Sequence, residues 1–203
     1  MKNIIFATGN LNKVRELRGI LADFPVEIIS MKEAGIDADI VEDGSTFEEN
    51  AVIKAEKIRD ISGCIVLADD SGLEVDYLGG APGIYSARFL GEKTPYSVKN
   101  AEIISRLQGV PDSSRTARFV CAAAAAFPDE ATVVRRGTIE GIIGYKEAGE
   151  NGFGYDPIFF LPERGMTTAQ LSPEEKNAIS HRGKALRAIR EVIADYLERH
   201  PQS

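Results

Sequence analysis

The pattern that most constrains the fold occurs twice: a short apolar run cut off by polar turn residues. Asn3-Ile4-Ile5-Phe6-Ala7 stops at Thr8-Gly9-Asn10, and Cys64-Ile65-Val66-Leu67-Ala68 stops at Asp69-Asp70-Ser71-Gly72. Runs of this kind read as buried strands. After the first, a helix starts near Asn10 or Asn12 and carries Val14, Leu17 and Leu21 at helical spacing, with Pro25 beyond its end. Val26-Glu27-Ile28-Ile29 reads as a second short strand, and residues 31–45 as a polar loop. Thr46 and Glu49 then form a capping box. They open a helix whose apolar face is Phe47, Ala51, Ala55 and Ile58 and which ends at Gly63.

Further on, Leu73 to Tyr77 alternates as a strand does, and Gly79 to Gly91 reads as a loop. Thr94-Pro95 opens a helix, with the proline at its first position, that runs to Gly109. Thr116 to Phe127 contains five consecutive alanines. Alanine favours helix, but Phe119-Val120-Cys121 and Pro128 favour a strand, with Thr132 to Ile139 as its hairpin partner. After a loop from Gly149 to Asp156 comes a strand from Pro157 to Leu161. Ser172-Pro173-Glu174-Glu175 is a second capping box, and the last helix turns Leu186, Ile189, Ile193 and Leu197 inward. The order mixes βα units with a hairpin, which predicts an α/β fold: a mixed β-sheet flanked by helices.

A net charge of −7 over 203 residues argues against an extended nucleic-acid surface, which needs a basic excess. A small anionic substrate would need local cations or a metal instead. Cys64 and Cys121 have no metal-type spacing and are expected as reduced core thiols, in keeping with a cytoplasmic protein. The first apolar run is too short for a signal segment, and none is long enough to span a membrane.

Five stretches carry candidate chemistry. Thr8-Gly9-Asn10-Leu11-Asn12-Lys13 places a turn and a helix N-terminus after a strand, an anion site by backbone N–H and dipole. Lys13 in the first turn opposes that dipole unless an anion lies between them. The same residues also suit an ordinary Asn-capped helix. Glu42, Asp69 and Asp70 form an acidic set. Adjacent carboxylates at a strand end repel unless a cation or proton separates them, although Asp-Asp-Ser-Gly also suits a plain turn. Gly152-Phe153-Gly154-Tyr155-Asp156 offers an aromatic between glycines, for a planar ligand or for the core. Lys176 with Ser180-His181-Arg182 could read a carbonyl or phosphate, or cap a helix junction. Lys54 lies one turn beyond Asn50, as a phosphate ligand or a solvated lysine.

Taken in order, these stretches resemble the inosine triphosphate pyrophosphatase-like family, in its bacterial branch. The match runs through Ala7-Thr8-Gly9-Asn10-x-x-Lys13, Glu42-x-Gly44-x-Thr46-Phe47-x-Glu49-Asn50-Ala51 and Ala68-Asp69-Asp70-Ser71-Gly72-Leu73. It continues through residues 78–88 and 152–160, and through Lys176 with Ser180-His181-Arg182-Gly183-Lys184-Ala185. Asp43 departs slightly, since that branch often has threonine there. The resemblance implies one nucleoside-triphosphate pyrophosphatase domain over residues 1–203, in two lobes on a long central mixed sheet with an active-site cleft between them, and a homodimer. It implies hydrolysis of ITP, dITP and XTP to the monophosphate and pyrophosphate with Mg2+. Thr8, Gly9, Asn10, Leu11, Asn12 and Lys13 would hold the triphosphate, and Lys54 and Ser71 would contact phosphate. Glu42 and Asp70 would bind the metal, with Asp70 as the base. Phe153, Gly154, Tyr155, Asp156, Lys176, His181 and Arg182 would hold the nucleoside end. A pyrimidine-specific pyrophosphatase of the Maf-like type, a nucleotide sensor and an RNA-binding protein are the competing readings. The first lacks the 153–156 and 180–182 stretches, the second would lose the acidic set, and the third conflicts with the charge.

Overall fold

The computed structural model describes residues 2–201. Seven strands form one mixed sheet in the order β2-β1-β3-β4-β5-β6-β7. β1 (Lys2–Phe6) pairs in parallel with β2 (Val26–Ser30), Ile4 opposite Ile28, and with β3 (Val66–Val75), Phe6 opposite Leu67. β4 (Thr116–Ala126) and β5 (Val133–Ile143) follow. The short β6 (Phe159–Leu161) lies antiparallel to β5, and β7 (Met166–Thr167) antiparallel to β6. The helices are α1 (Leu11–Ile20), α2 (Phe47–Ser62), α3 (Tyr96–Arg106), α4 (Pro173–Ile179) and α5 (His181–Arg199). The predicted α/β class holds. No helix among the described residues is long and apolar enough to cross a membrane.

The chain divides into two compact units. The first comprises residues 1–70, 121–137 and 181–203. Its core gathers Ile4 and Phe6 of β1, Leu17 and Leu21 near α1, Leu67 of β3, and Leu186, Ile189 and Ile193 of α5. The second comprises residues 71–120 and 138–180, with a core of Leu73, Val75, Ile103, Leu107, Phe119, Ile143, Tyr155 and Phe159. The alanine run is strand: Ala122 to Ala126 are all fully buried in β4 between two neighbouring strands. Burial within the sheet overrides the weak helical preference of alanine.

Several local expectations change. The Asp69-Asp70-Ser71-Gly72 stretch is not a turn. It lies inside β3, which runs unbroken for ten residues. Cys64 is exposed in the α2–β3 connection and only Cys121 is a core thiol. Pro95 is the N-cap of α3 and not its first residue. The predicted strand at Pro157 begins at Phe159, after a 3₁₀ turn over Asp156–Ile158. The box at Thr46 is half formed. Its Oγ1 accepts from Glu49 N, but Glu49 Oε2 accepts from Ser45 N and Oγ. The box at Ser172 is complete. The last helical stretch is broken at Ser180, whose extended backbone (φ −65°, ψ 158°) ends α4 and lets α5 begin at His181.

Candidate active site

The continuity of β3 organises the first unit's polar centre. Side chains alternate along a strand. Asp69 therefore shares the face of Leu67, which packs in the α1–α5 core, and Asp70 takes the other face. The pleat sends the two carboxylates to opposite faces of the strand, yet each feels the other's cation: Lys54 helps lower the pKa of Asp69, and Lys13 opposes the rise at Asp70.

On the first face, Asp69 Oδ2 gathers nearly everything. It accepts from Lys13 Nζ at 3.0 Å, from Arg182 Nε and Nη2 at 3.2 and 3.1 Å, and from the Cys121 thiol at 3.8 Å. Arg182 Nη1 donates to Glu16 Oε2 at 2.5 Å. Asp69 is only 1% exposed. Burial pushes its proton affinity up, but Lys13 and Arg182 outweigh that and hold the carboxyl well below the usual range. Burial, with Asp69 alongside, pushes the Cys121 thiol up to about 12, so it stays neutral. Burial disfavours the charge on Arg182, but Asp69 and Glu16 overcome this and raise its pKa. This is a buried ionic lattice in which the loss of one partner strands the others.

On the other face, Asp70 is held from α2. Asn50 Nδ2 donates to its Oδ2 at 3.2 Å and Lys54 Nζ lies 3.2 Å from its Oδ1. Lys54 Nζ also meets Glu42 Oε2 at 2.9 Å. One ammonium thus bridges Glu42 and Asp70. Asn50 is fully buried, and its Oδ1 accepts from Gly44 N at 2.9 Å, which ties the loop carrying Glu42 to α2. Burial raises the proton affinity of Asp70 above the ordinary carboxylate value despite the opposing charges of Lys54 and Lys13. Burial works against the charge on Lys54, but Asp70, Asp69 and Glu42 raise its pKa.

At the start of α1, Asn10 Oδ1 accepts from Asn12 N and Lys13 N at 2.9 and 3.3 Å, and Thr8 Oγ1 accepts from Asn10 N at 3.2 Å. The N-cap is therefore Asn10. Gly9, Asn10 and Leu11 are exposed at this turn. His181 and Arg182 open α5, and Gly137 of β5 fixes that opening. A Cβ there would stand 2.2 Å from His181 O and 2.7 Å from Ala185 N, so only glycine permits the approach.

The second unit holds the other predicted residues. Ser71 continues β3, half-buried. Asp156 Oδ2 accepts from Phe153 N at 2.8 Å and from Lys176 Nζ at 2.5 Å, and its Oδ1 accepts from Thr168 Oγ1 at 2.8 Å. Lys176 Nζ lies 5.0 Å from the centre of the half-buried Phe153 ring. Tyr155 is a core residue whose hydroxyl donates to Ser86 O at 2.8 Å. Gly154 lies beside Tyr96 of α3. Sequence reasoning missed Asn50 and Glu16. Each looked like an ordinary polar position on a helix, and the only signal was an amide or carboxylate one turn from a named lysine.

Among the described residues no three His, Cys, Asp or Glu side chains cluster as a metal cage. The arrangement on the Asp70 face is instead a pair of carboxylates around a cation, beside an exposed strand-to-helix turn. Such a centre suits chemistry on a polyanion. Its cations neutralise charge, and a carboxylate of raised proton affinity can take a proton.

Known proteins give this class a family. The Ham1 family model matches residues 4–192, and the chain belongs to that family. It is 47% identical to a dITP/XTP pyrophosphatase of Clostridium perfringens over 98% of this chain and 100% of that one. It is 50% identical to a dITP/XTP pyrophosphatase of Caldanaerobacter subterraneus over 98% and 99%. Among solved structures, a HAM1 protein from Coxiella burnetii matches with a TM-score of 0.86 at 40% identity, covering 96% of this chain and 100% of that one.

Proposed function

We propose that this protein is a magnesium-dependent pyrophosphatase, which hydrolyses ITP, dITP and XTP to the monophosphate and pyrophosphate and so clears deaminated purines from the nucleotide pool. The observation that carries the mechanism is the Lys54 ammonium bridging Glu42 and Asp70. The near full-length relatives that bear the dITP/XTP pyrophosphatase name support the substrate class.

Magnesium takes one or two carboxylates and fills its other positions with water and phosphate oxygens. Glu42 and Asp70 fit that demand. Asp69 fits it less well: its Oδ2 is committed to Lys13 and Arg182, and its Oδ1, without a partner among the described residues, is buried in a residue only 1% exposed. When bound, the metal would neutralise charge on the phosphates and template them. The chain's own groups do the rest. Asp70 orients a water and accepts its proton, with Asn50 fixing the carboxylate plane. Lys54 and Lys13 stabilise charge on the phosphoryl oxygens, and Asp69 holds Lys13 in place. A Cβ on Gly9 would meet nothing within 4 Å, so packing does not demand glycine, and its bareness leaves backbone open to the triphosphate. Phosphoryl transfer needs mainly positioning and electrostatics, which these groups supply.

For the nucleoside end, Phe153 with Lys176 over its ring is the proposed stacking surface, pinned by Asp156. His181 and Arg182 are the proposed readers of the six-oxo group. Arg182 is clamped by Glu16 and Asp69, so it would offer a donor in a fixed direction. A donor there rejects adenine, whose amino group leaves it unpaired, by about 10⁴-fold or more. A cytoplasmic homodimer completes the proposal.

The test is pyrophosphate release from ITP, XTP, dITP, ATP, GTP and dTTP, with and without magnesium. Fast release from the first three, abolished by EDTA, is expected. Preference for dTTP would move the chain to a pyrimidine enzyme. Tight ITP binding without release would leave a sensor.

A further inference from the structure

In the second unit, Tyr96, Lys99 and Asn100 stand at i, i+3 and i+4 of α3 and so share one face. Lys99 and Asn100 are each 1% exposed. All three grip loops. The Tyr96 ring meets Tyr155 edge-on, with centroids 5.2 Å apart, and a Cβ on Gly154 would lie 3.6 Å from Tyr96 Cε1. Lys99 Nζ donates to Ala87 O at 2.6 Å and lies 4.9 Å from the Tyr96 ring centre. Asn100 Nδ2 donates to Gly154 O at 3.3 Å and to Glu147 Oε1 at 2.7 Å.

Both partners of Asn100 are acceptors, so the amide cannot be turned over without setting oxygen against oxygen. Its Oδ1 is then buried with no partner among the described residues. A buried acceptor without a donor is destabilising, and a residue selected for packing alone would carry none. The amide's two N–H bonds, to the Glu147 carboxylate and to the Gly154 carbonyl, offset it, and the second is the one that reaches the loop carrying Phe153. Gly154 follows Phe153 and carries a left-handed backbone (φ 70°), a conformation that needs external anchoring to be unique.

We propose that Asn100 is a positioning residue for the nucleobase: by holding the Gly154 carbonyl it sets the attitude of the Phe153 ring before substrate arrives. This rests on the assignment of residues 153–156 to the nucleoside. The experiment pairs two measurements on Asn100→Ala and on the double variant Asn100→Asp/Glu147→Gln. The double variant rebuilds the 100–147 pair with donor and acceptor exchanged, but gives the Gly154 carbonyl no N–H. Hydrogen exchange of the 152–156 amides is followed in the substrate-free protein, and steady-state kinetics with ITP and magnesium in parallel. Loss of one buried hydrogen bond predicts about tenfold faster loop exchange and about tenfold higher KM in both variants, with kcat within about threefold. The double variant sets a buried carboxylate against the Gly154 carbonyl and is expected to melt below the parent, so exchange and kinetics are read well below its melting temperature. Unchanged loop exchange in either variant, or a parental KM in the double variant while Asn100→Ala raises it, overturns the positioning role. Faster exchange with an unchanged KM overturns instead the assignment of 153–156 to the nucleoside, and with it any part for Asn100 in the reaction.

Discussion

The two faces of β3 carry the same side chain one residue apart and treat it in opposite ways. Asp69 sinks into a lattice of two cations and a thiol and is held ionised. Asp70 sits against α2 with an amide and one shared ammonium, and its proton affinity rises. Burial acts alike on both. What differs is the neighbouring charge: Lys13 and Arg182 meet Asp69, whereas the cations near Asp70 are countered by Glu42 and Asp69. A strongly held carboxylate is a poor base but a good anchor, and a moderately held one is the reverse. The strand's pleat converts a run of two identical residues into one firmly anchored carboxylate and one that the proposed mechanism takes as its base.

The largest expected effect bears on the chemical face. Asp70→Asn keeps the shape and removes the proposed base, so ITP turnover in saturating magnesium should fall by about 10² to 10⁴-fold. On the structural face, Asp69→Asn strands Lys13 and Arg182. Removing one partner of a buried ionic group predicts a loss of about 3–5 kcal/mol in urea unfolding. Lys54→Met leaves Glu42 and Asp70 without their shared cation. It should cut kcat/KM by about 10² and move the acid limb of the pH profile upward, because a charge that lowers the Asp70 pKa is gone.

Acidity separates the faces further. The folded pKa of Asp69 lies below its unfolded value, so its stabilisation is full above about pH 4 and is lost as pH falls through the folded value. The gap in stability between the parent and Asp69→Asn should therefore close in strong acid. The folded pKa of Asp70 is raised, so its contribution has the other sign: ionising it works against the fold above the unfolded value. The smallest effect follows. At neutral pH, Asp70→Asn should unfold near the parent's urea concentration, since relief of the strained carboxylate is offset by the loss of Lys54's main charge partner, whereas Asp69→Asn unfolds well below it.

Much of this was legible in the sequence. The helix start near Asn10 or Asn12 resolves to Asn10 as the cap, the second capping box forms in full, and the alanine run lies in a strand as its flanking Phe119-Val120-Cys121 and Pro128 predict. The candidate residues Lys13, Glu42, Lys54, Asp70 and Arg182 all fall in one unit of the chain. The split between Asp69 and Asp70 was not legible, because Asp-Asp-Ser-Gly has turn composition. It stays extended because it lies inside β3, beside β4 in the sheet and beyond the Val66–Leu67 stretch that pairs with β1. Asn50 and Glu16 escaped for a related reason. Their partners lie twenty and 166 residues away, and no local periodicity encodes such a contact. The break at Ser180 was hidden as well, since it depends on one extended residue between two helical runs.

The most direct test of the account compares ITP turnover with urea unfolding in Asp70→Asn. The account predicts a protein about as stable as the parent whose turnover has fallen by about a hundredfold or more. A variant that keeps near-parental turnover would contradict it and move the base elsewhere.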